Sequence, residues 1–396
     1  MNTYSADKVI YLDYAATTPV DPAVVEAMLP FLGPEGCFAN PASVSHAAGR
    51  SAREAVENAR AQIARLVGAQ PEEIIFTSGA TESDNLALQG VMHCCHGGKG
   101  HLVTEKCEHK AILDTAHALE NDGHSVTYLT PQPDGRILPE QVAGAIRDDT
   151  RLVSIMLVNN EIGVVQDIAA IGAECRKRGV LFHVDAAQGA GKVPINLAEL
   201  PVDLMSFSGH KLYGPKGIGA FYVRKSPEVR LDACMHGGGH ERGFRSGTLA
   251  THQIVGMGKA FEVARERFAE DSAHNRALTQ RLRDGLMKLG GVHVNGPDEA
   301  HRAGHIINLS FDDIVSDTLL YLLTDVAVST GSACSSASRA PSYVLKAIGL
   351  SDERARSSLR LSVGRFTTEQ DIEHAIEHIG AAVTRLRAMA PRAQAG

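Results

Sequence analysis

Between residues 72 and 223 the chain switches its hydrophobic period repeatedly, and this alternation most narrows the folds open to it. Short runs rich in β-branched and aromatic residues at 72–76, 101–104, 125–129, 152–158, 180–185 and 203–207 alternate with stretches of helical period at 82–92, 109–120, 139–146 and 168–178. Strands that recur with helices between them predict βαβ units, hence a mostly parallel sheet covered by helices on both faces. Such sheets bind ligands outside the carboxyl ends of their strands. Polar residues gather at those ends: SGATESDN, CEHK, DAAQ and SGHK.

The flanks have a different texture. Ahead of the alternation come a short strand candidate at 9–13, an irregular stretch broken by Pro19 and Pro22, a loop at 34–41 and a helix over 45–67. Ala52, Val56, Ala59 and Ile63 share one face of that helix. Beyond Gly247 a long, charge-studded helical region at 254–289 precedes strand candidates at 305–310, 326–329 and 358–363 and helices at 316–323, 341–348 and 369–389. This reads as a smaller α+β domain, and 396 residues are ample for two domains.

Composition excludes several functions. A net charge of -7, no tryptophan and 5% aromatics argue against a nucleic-acid surface. The N-terminus has no basic stretch leading into an apolar one, and no apolar run is long enough to span a bilayer. The 7 cysteines form no C-x-x-C pair, so neither a zinc knuckle nor a disulfide framework is indicated, and the cytosol is the expected compartment.

Several residues can carry chemistry. Lys211, among small residues where the run 203–207 ends, is either a solvated lysine or a Schiff-base amine. Backbone amides at Gly79, Ala80 and Thr81 would cradle a phosphate at a helix start, or Thr81 and Asp84 form an ordinary capping box. Asp185, at a strand end, either caps a helix or pairs with a protonated ring nitrogen, with Gln188 beside it. His109 is a helix-start histidine able to stack on a ring or shuttle a proton. Arg360, between Leu359 and Leu361, serves a structural ion pair or a substrate carboxylate. Cys334 sits in STGSACSSAS, whose Gly/Ser content reads as an exposed loop, where a thiol can act as a nucleophile.

Together these stretches resemble one family. YLDYAATTPVDP, FANPAS, FTSGATESDN, TEKCEHKAILDT, LVNNEIGVVQDI, HVDAAQ, DLMSFSGHKLYGPKGIGA, MHGGGHERGFRSGT, STGSACSSAS and PSYVL are similar to those of the cysteine desulfurases of housekeeping iron-sulfur assembly. These are fold-type I pyridoxal phosphate (PLP) enzymes of the class V aminotransferase group. The resemblance implies a seven-stranded, mostly parallel sheet in a three-layer domain over 16–260. A small α+β domain, 1–15 with 261–396, would carry the cysteine loop. It implies PLP on Lys211, with Asp185 at the pyridine nitrogen, Gln188 at the ring oxygen and His109 over the ring. Ala80, Thr81, Ser208 and His210 would take the phosphate, and Thr248 would reach the phosphate of a dimer partner's cofactor. Asn160, also near the cofactor, would hold the substrate carboxylate with Arg360 and Asn40. Cys334 would take the sulfur of L-cysteine as a persulfide and hand it to an iron-sulfur scaffold or other acceptors, with no metal in catalysis though Cys334 can meet a cluster during transfer. Selenocysteine lyase, or another class V lyase or aminotransferase, is the alternative. Two departures stand out: the chain stops at PRAQAG, short of the tail by which relatives dock the scaffold, and Cys37 beside FANPAS is read as a bystander.

Overall fold

A computed structural model describes residues 9–94, 98–330 and 340–389. Its strands are β1 (Ile10–Tyr11), β2 (Ile74–Thr77), β3 (His101–Glu105), β4 (Ser125–Leu129), β5 (Thr150–Ser154), β6 (Leu181–Asp185), β7 (Leu204–Ser208), β8 (Gly219–Val223), β9 (Val292–Asn295), β10 (Ile306–Phe311), β11 (Val326–Ala327) and β12 (Ser358–Ser362). Seven of them form one sheet in the order β2-β8-β7-β6-β5-β3-β4. Neighbours from β7 through β4 are parallel, while β8 runs antiparallel to both β2 and β7. The reversal has a simple cause: the connection from Ser208 to Gly219 is too short for the crossover a parallel neighbour needs.

Alternation along each strand sends side chains to two cores. Phe76, Phe182, Met205, Phe207 and Tyr222 pack on one face with the helices Ala47–Val67, Ile168–Lys177 and the start of Thr251–Met287. Ile75, Leu102, Leu152, Leu204 and Phe221 pack on the other with Ala80–His93 and Lys110–Asn121. Each buried large side chain contributes about 1.5–3 kcal/mol relative to exposure. The sheet therefore holds its carboxyl edge as a rigid rim.

A smaller domain is built on the antiparallel sheet β12-β10-β9, and β1 pairs in parallel with β11 beside it. Ile10 and Leu12 join its core with Phe311, Leu361 and Ile379. The helix Thr251–Met287 serves both cores, Ile254, Met257 and Phe261 in the first and Leu278, Leu282 and Leu286 in the second. The boundary expected at 260/261 falls inside it. The short strand β9 and the helix Asp352–Arg356 were not foreseen from sequence. The strand expected at 152–158 ends at Ser154, the chain running on with single bonds from Ile155 and Leu157 amides to β6 carbonyls. Among the described residues no helix is long and apolar enough to cross a membrane.

Candidate active site

The carboxyl edge of the large sheet opens into a cleft of about 580 Å³, within the range of small-molecule sites. It is lined by Gly79, Ala80, Thr81, His109, Asn160, Asp185, Gln188, Ser208, His210, Lys211 and Arg360. Eight stretches of sequence, from Ala15 to Arg360, thus meet at one rim.

Gly219 explains how two of those stretches come so close. It stands opposite Thr77 of β2 and Ser208 of β7, where both strands turn into the cleft. A Cβ on Gly219 would lie 2.6 Å from the Cα and the carbonyl carbon of Gly79 and 2.7 Å from the Phe207 oxygen. Only a glycine lets the SGAT turn settle on β8. The helix then starts at Ala80 with Gly79 as its cap residue and no side-chain cap. This corrects the capping box expected of Thr81 and Asp84. Glu82 instead accepts from the Ser78 amide at 2.8 Å and pairs with Arg245 at 2.8 Å, while Asp84 is fully buried. The free amides of a 14-residue helix face the cleft, a ready anion site.

Lys211 ends the turn Gly209–Lys211 that follows β7. Its Nζ donates to the carbonyls of Ala15 and Ala16 at 2.6 and 2.7 Å. The segment bearing those carbonyls lies across the Lys211 turn, Thr18 Oγ1 donating to the His210 carbonyl at 3.0 Å and accepting from the Tyr213 amide at 2.8 Å. Burial, helped by the charges of Lys211, Lys216 and Lys192, pushes His210 down to about 4, so its ring is neutral at pH 7.

Asp185 closes β6. One carboxylate oxygen accepts from the Ala187 amide at 2.8 Å. Burial raises its pKa, and His109, the Ala187 amide and Lys211 oppose that rise. Behind it Asp84, raised well above the usual range by burial and then by Asp185 itself, is the partner that keeps its proton. His183 lies 3.7 Å from Asp84, its two ring nitrogens each 2.9 Å from a hydroxyl, those of Ser154 and Ser206. This buried polar row beneath the sheet edge was not foreseen, because an apolar-looking strand pattern hides it. His109 caps the helix Lys110–Asn121, its Nδ1 accepting from the Ala111 amide at 3.2 Å. That contact fixes the tautomer and leaves Nε2 as the nitrogen that carries a proton.

Arg360 lies on β12, so the small domain supplies this wall. Its Nη2 meets Asp13 at 2.7 Å and its Nη1 the Asn160 carbonyl at 3.0 Å. Arg360 therefore lines the cleft and is at the same time clamped in the ion pair that its structural reading expected. Among the described residues its Nε and the Asn160 Oδ1 are buried without a hydrogen-bond partner, and buried polar groups of that kind point to a ligand. The Arg360 backbone pairs with Ser329, next to where the chain leaves for the segment carrying Cys334. Cys334 itself lies outside the described residues.

Two expected site residues are not brought to the cleft within one chain. Thr248 is exposed away from it, and Asn40 is exposed with its Oδ1 accepting from the Ala42 amide at 2.9 Å. Cys37, half-buried, donates weakly to the Ala48 carbonyl. The sequence reading missed Asp13, the partner of Arg360, and the Ala15–Ala16 carbonyls. Nothing in the irregular, hydroxyl-rich AATTP stretch marks them as acceptors.

The site fits PLP by its donor set. An amine faces an anion cradle, a carboxylate closes a parallel strand beside it, and an arginine–asparagine pair holds unspent hydrogen-bonding capacity opposite. This combination on this sheet defines a PLP-dependent enzyme of fold-type I. The chain belongs to the aminotransferase class-V family, whose model matches residues 10–374. It is 58% identical over 382 residues to cysteine desulfurase IscS of Escherichia coli, covering 96% of this chain and 94% of that protein. Among solved structures a NifS-like protein superposes with a TM-score of 0.88 at 36% identity, covering 95% of this chain and 100% of that one. A second, SspA in complex with cysteine, gives 0.80 at 40% identity, covering 90% and 99%.

Proposed function

We propose that this chain is a PLP-dependent cysteine desulfurase that converts L-cysteine to L-alanine and passes the sulfur, as a persulfide on Cys334, to acceptor proteins, an iron-sulfur scaffold among them. The observation that carries this reading is the convergence of Lys211, Asp185, His109 and Arg360 on one cleft whose Arg360 wall adjoins the departure point of the Cys334 segment.

Each residue then has a task. Lys211 holds the cofactor covalently and returns as a base when substrate displaces it. Asp185, raised by burial and opposed in that rise by the Ala187 amide and Lys211, holds a proton on the pyridine nitrogen; Asp84, raised further, adds no competing charge. The amides of Gly79, Ala80 and Thr81 with Ser208 and neutral His210 bind the phosphate. Arg360 Nε and Asn160 orient the substrate carboxylate. Bound PLP supplies the electron sink for proton removal at the substrate α carbon. His109, standing over the ring, presents its Nε2–H as a donor toward the substrate.

Cys334 is tethered five residues beyond Ser329, so its reach is about 18 Å at most. Its thiolate attacks the substrate sulfur. The S–Cβ bond breaks with its electron pair staying on Cβ, which takes up a proton and becomes the methyl group of alanine, while Cys334 keeps the sulfur as a persulfide. Mass spectrometry after one turnover without reductant tests this: about 32 Da should appear on the Cys334 peptide. The same mass on Cys37, or parent turnover in C334S, refutes the assignment. K211A should lose turnover altogether.

A homodimer completes the proposal. Val25, Leu29 and Leu32 form an exposed apolar stripe at helical spacing, and Phe38 and Val44, just after it in sequence, are 70% and 53% exposed. Such surface is costly on a monomer. Thr248, outside its own cleft, would serve the partner's. An active monomer in sedimentation at working concentration contradicts this.

A further inference from the structure

The side-chain amide of Gln188 is gripped from both sides. Lys192 Nζ donates to its Oε1 at 3.0 Å, and its Nε2 donates to the Ala15 carbonyl at 2.7 Å. Lys211 Nζ donates to that same carbonyl. The result is a continuous line of contacts, Lys192–Gln188–Ala15–Lys211, that starts at Lys192 outside the cleft and runs along its lining. The turn that follows Asp185 builds it, with the Lys192 amide bonded to the Gly189 carbonyl at 3.0 Å. An amide can present either its oxygen or its nitrogen, and its partners decide which. A carbonyl only accepts, so Nε2 faces Ala15, and the Lys192 amine donates to the Oε1 that this leaves on the other side.

We propose that Lys192 is a positioning residue acting through Gln188: it locks the amide so that Nε2, not Oε1, serves the ring oxygen of the cofactor, and it places a second cation near Lys211. The proposal rests on the PLP reading and on the role given to Gln188 there. It extends that reading by naming a residue that touches neither cofactor nor substrate.

The surroundings make Lys192 the group that answers Lys211. His210 and His305, both kept neutral chiefly by burial, feel its charge. Across a small internal cavity stand Tyr14 and Tyr213, whose phenols are raised and stay neutral, with Asp271 and Arg365. Arg365 is already paired with Asp271 at 2.7 Å and Asp21 at 2.6 Å. Burial first, and then the charge of Lys211, pushes the Lys192 amine down to about 7. Removing Lys192 therefore takes away positive charge and raises the proton affinity of a cofactor held on Lys211.

The test uses PLP-loaded parent, K192M, K192Q, K192R, Q188A and the K192M/Q188A double variant, each titrated against pH by the visible absorbance of the bound cofactor. Apo-protein affinity for PLP is measured in parallel. K192M should raise the absorbance midpoint by about half a unit or more and weaken PLP binding. K192R should restore both, and K192Q, a neutral donor, should restore affinity but not the midpoint. In the Q188A background K192M should add nothing to the loss of affinity. Parent values for both quantities in K192M overturn the proposal. So does an affinity loss that simply adds to that of Q188A. Should Q188A itself leave affinity and midpoint unchanged, the role of Gln188 fails and takes the proposal with it, an outcome distinct from failure of Lys192 alone.

Discussion

Adding one methyl group at Gly219 separates cofactor binding from the rest of the fold. A Cβ there would meet only backbone, 2.6 Å from Gly79 and 2.7 Å from the Phe207 oxygen. No rotamer change relieves such a contact. Carbon atoms settle near 3.5–4.0 Å, so Gly79 must retreat by about 1 Å, and Gly79 opens the phosphate cradle. Overpacking of this kind costs about 1–3 kcal/mol. If the strain falls on the cradle, the apparent Kd for PLP in G219A rises about 5- to 140-fold. Titration of apo-protein with PLP, followed by cofactor absorbance, reads this directly. G144A is the control: no described residue lies within 4 Å of its added Cβ, and Gly144 sits in the helix Pro139–Ala145. There alanine should stabilise by about 0.5–1 kcal/mol and leave PLP affinity alone. A G219A protein that binds PLP within twofold of the parent, with an unchanged melting temperature, refutes the close-approach argument.

Other outcomes follow from the same geometry. Burial raises Glu161 from 4.5 to about 7, so its folded form binds the extra proton and stability is lost as pH rises from about 4.5 through 7. E161Q should thus gain on the order of 3 kcal/mol over the parent at pH 8 and nothing at pH 4, read by denaturant unfolding at the two values. Arg60, buried in the helix Ala47–Val67, meets Glu241 at 2.7 and 2.8 Å, and Glu241 also accepts from the Phe76 amide. R60M strands that carboxylate and should cost about 3–5 kcal/mol in the same assay. R360K loses the planar fork; KM for cysteine should rise about tenfold or more while the absorbance of bound cofactor stays unchanged.

Periodicity made the large domain readable. Strand and helix signals alternate between 72 and 223 because each element buries a face at its own period, and those faces are written locally. The strands β2 through β7 and their covering helices fall close to where that pattern places them. Lys211, Asp185 and the SGAT amides were legible for the same reason: each follows directly from the end of a strand. The partners that hold these side chains were not legible, because the contacts join residues far apart in the chain. Asp13 meets Arg360 across 347 positions and Lys211 reaches Ala15 across 196. Nothing local in YLDYAATTP marks an acceptor for either cation. Asp84 looked like a cap residue and became a buried acid, since the helix began two residues earlier once Gly219 let Gly79 settle on β8. Local pattern determined which elements form and which residues stand at their ends. Only the packing of the sheet against the small domain decided which of those residues share a cleft, which are spent on one another, and which keep a free hydrogen bond for a ligand.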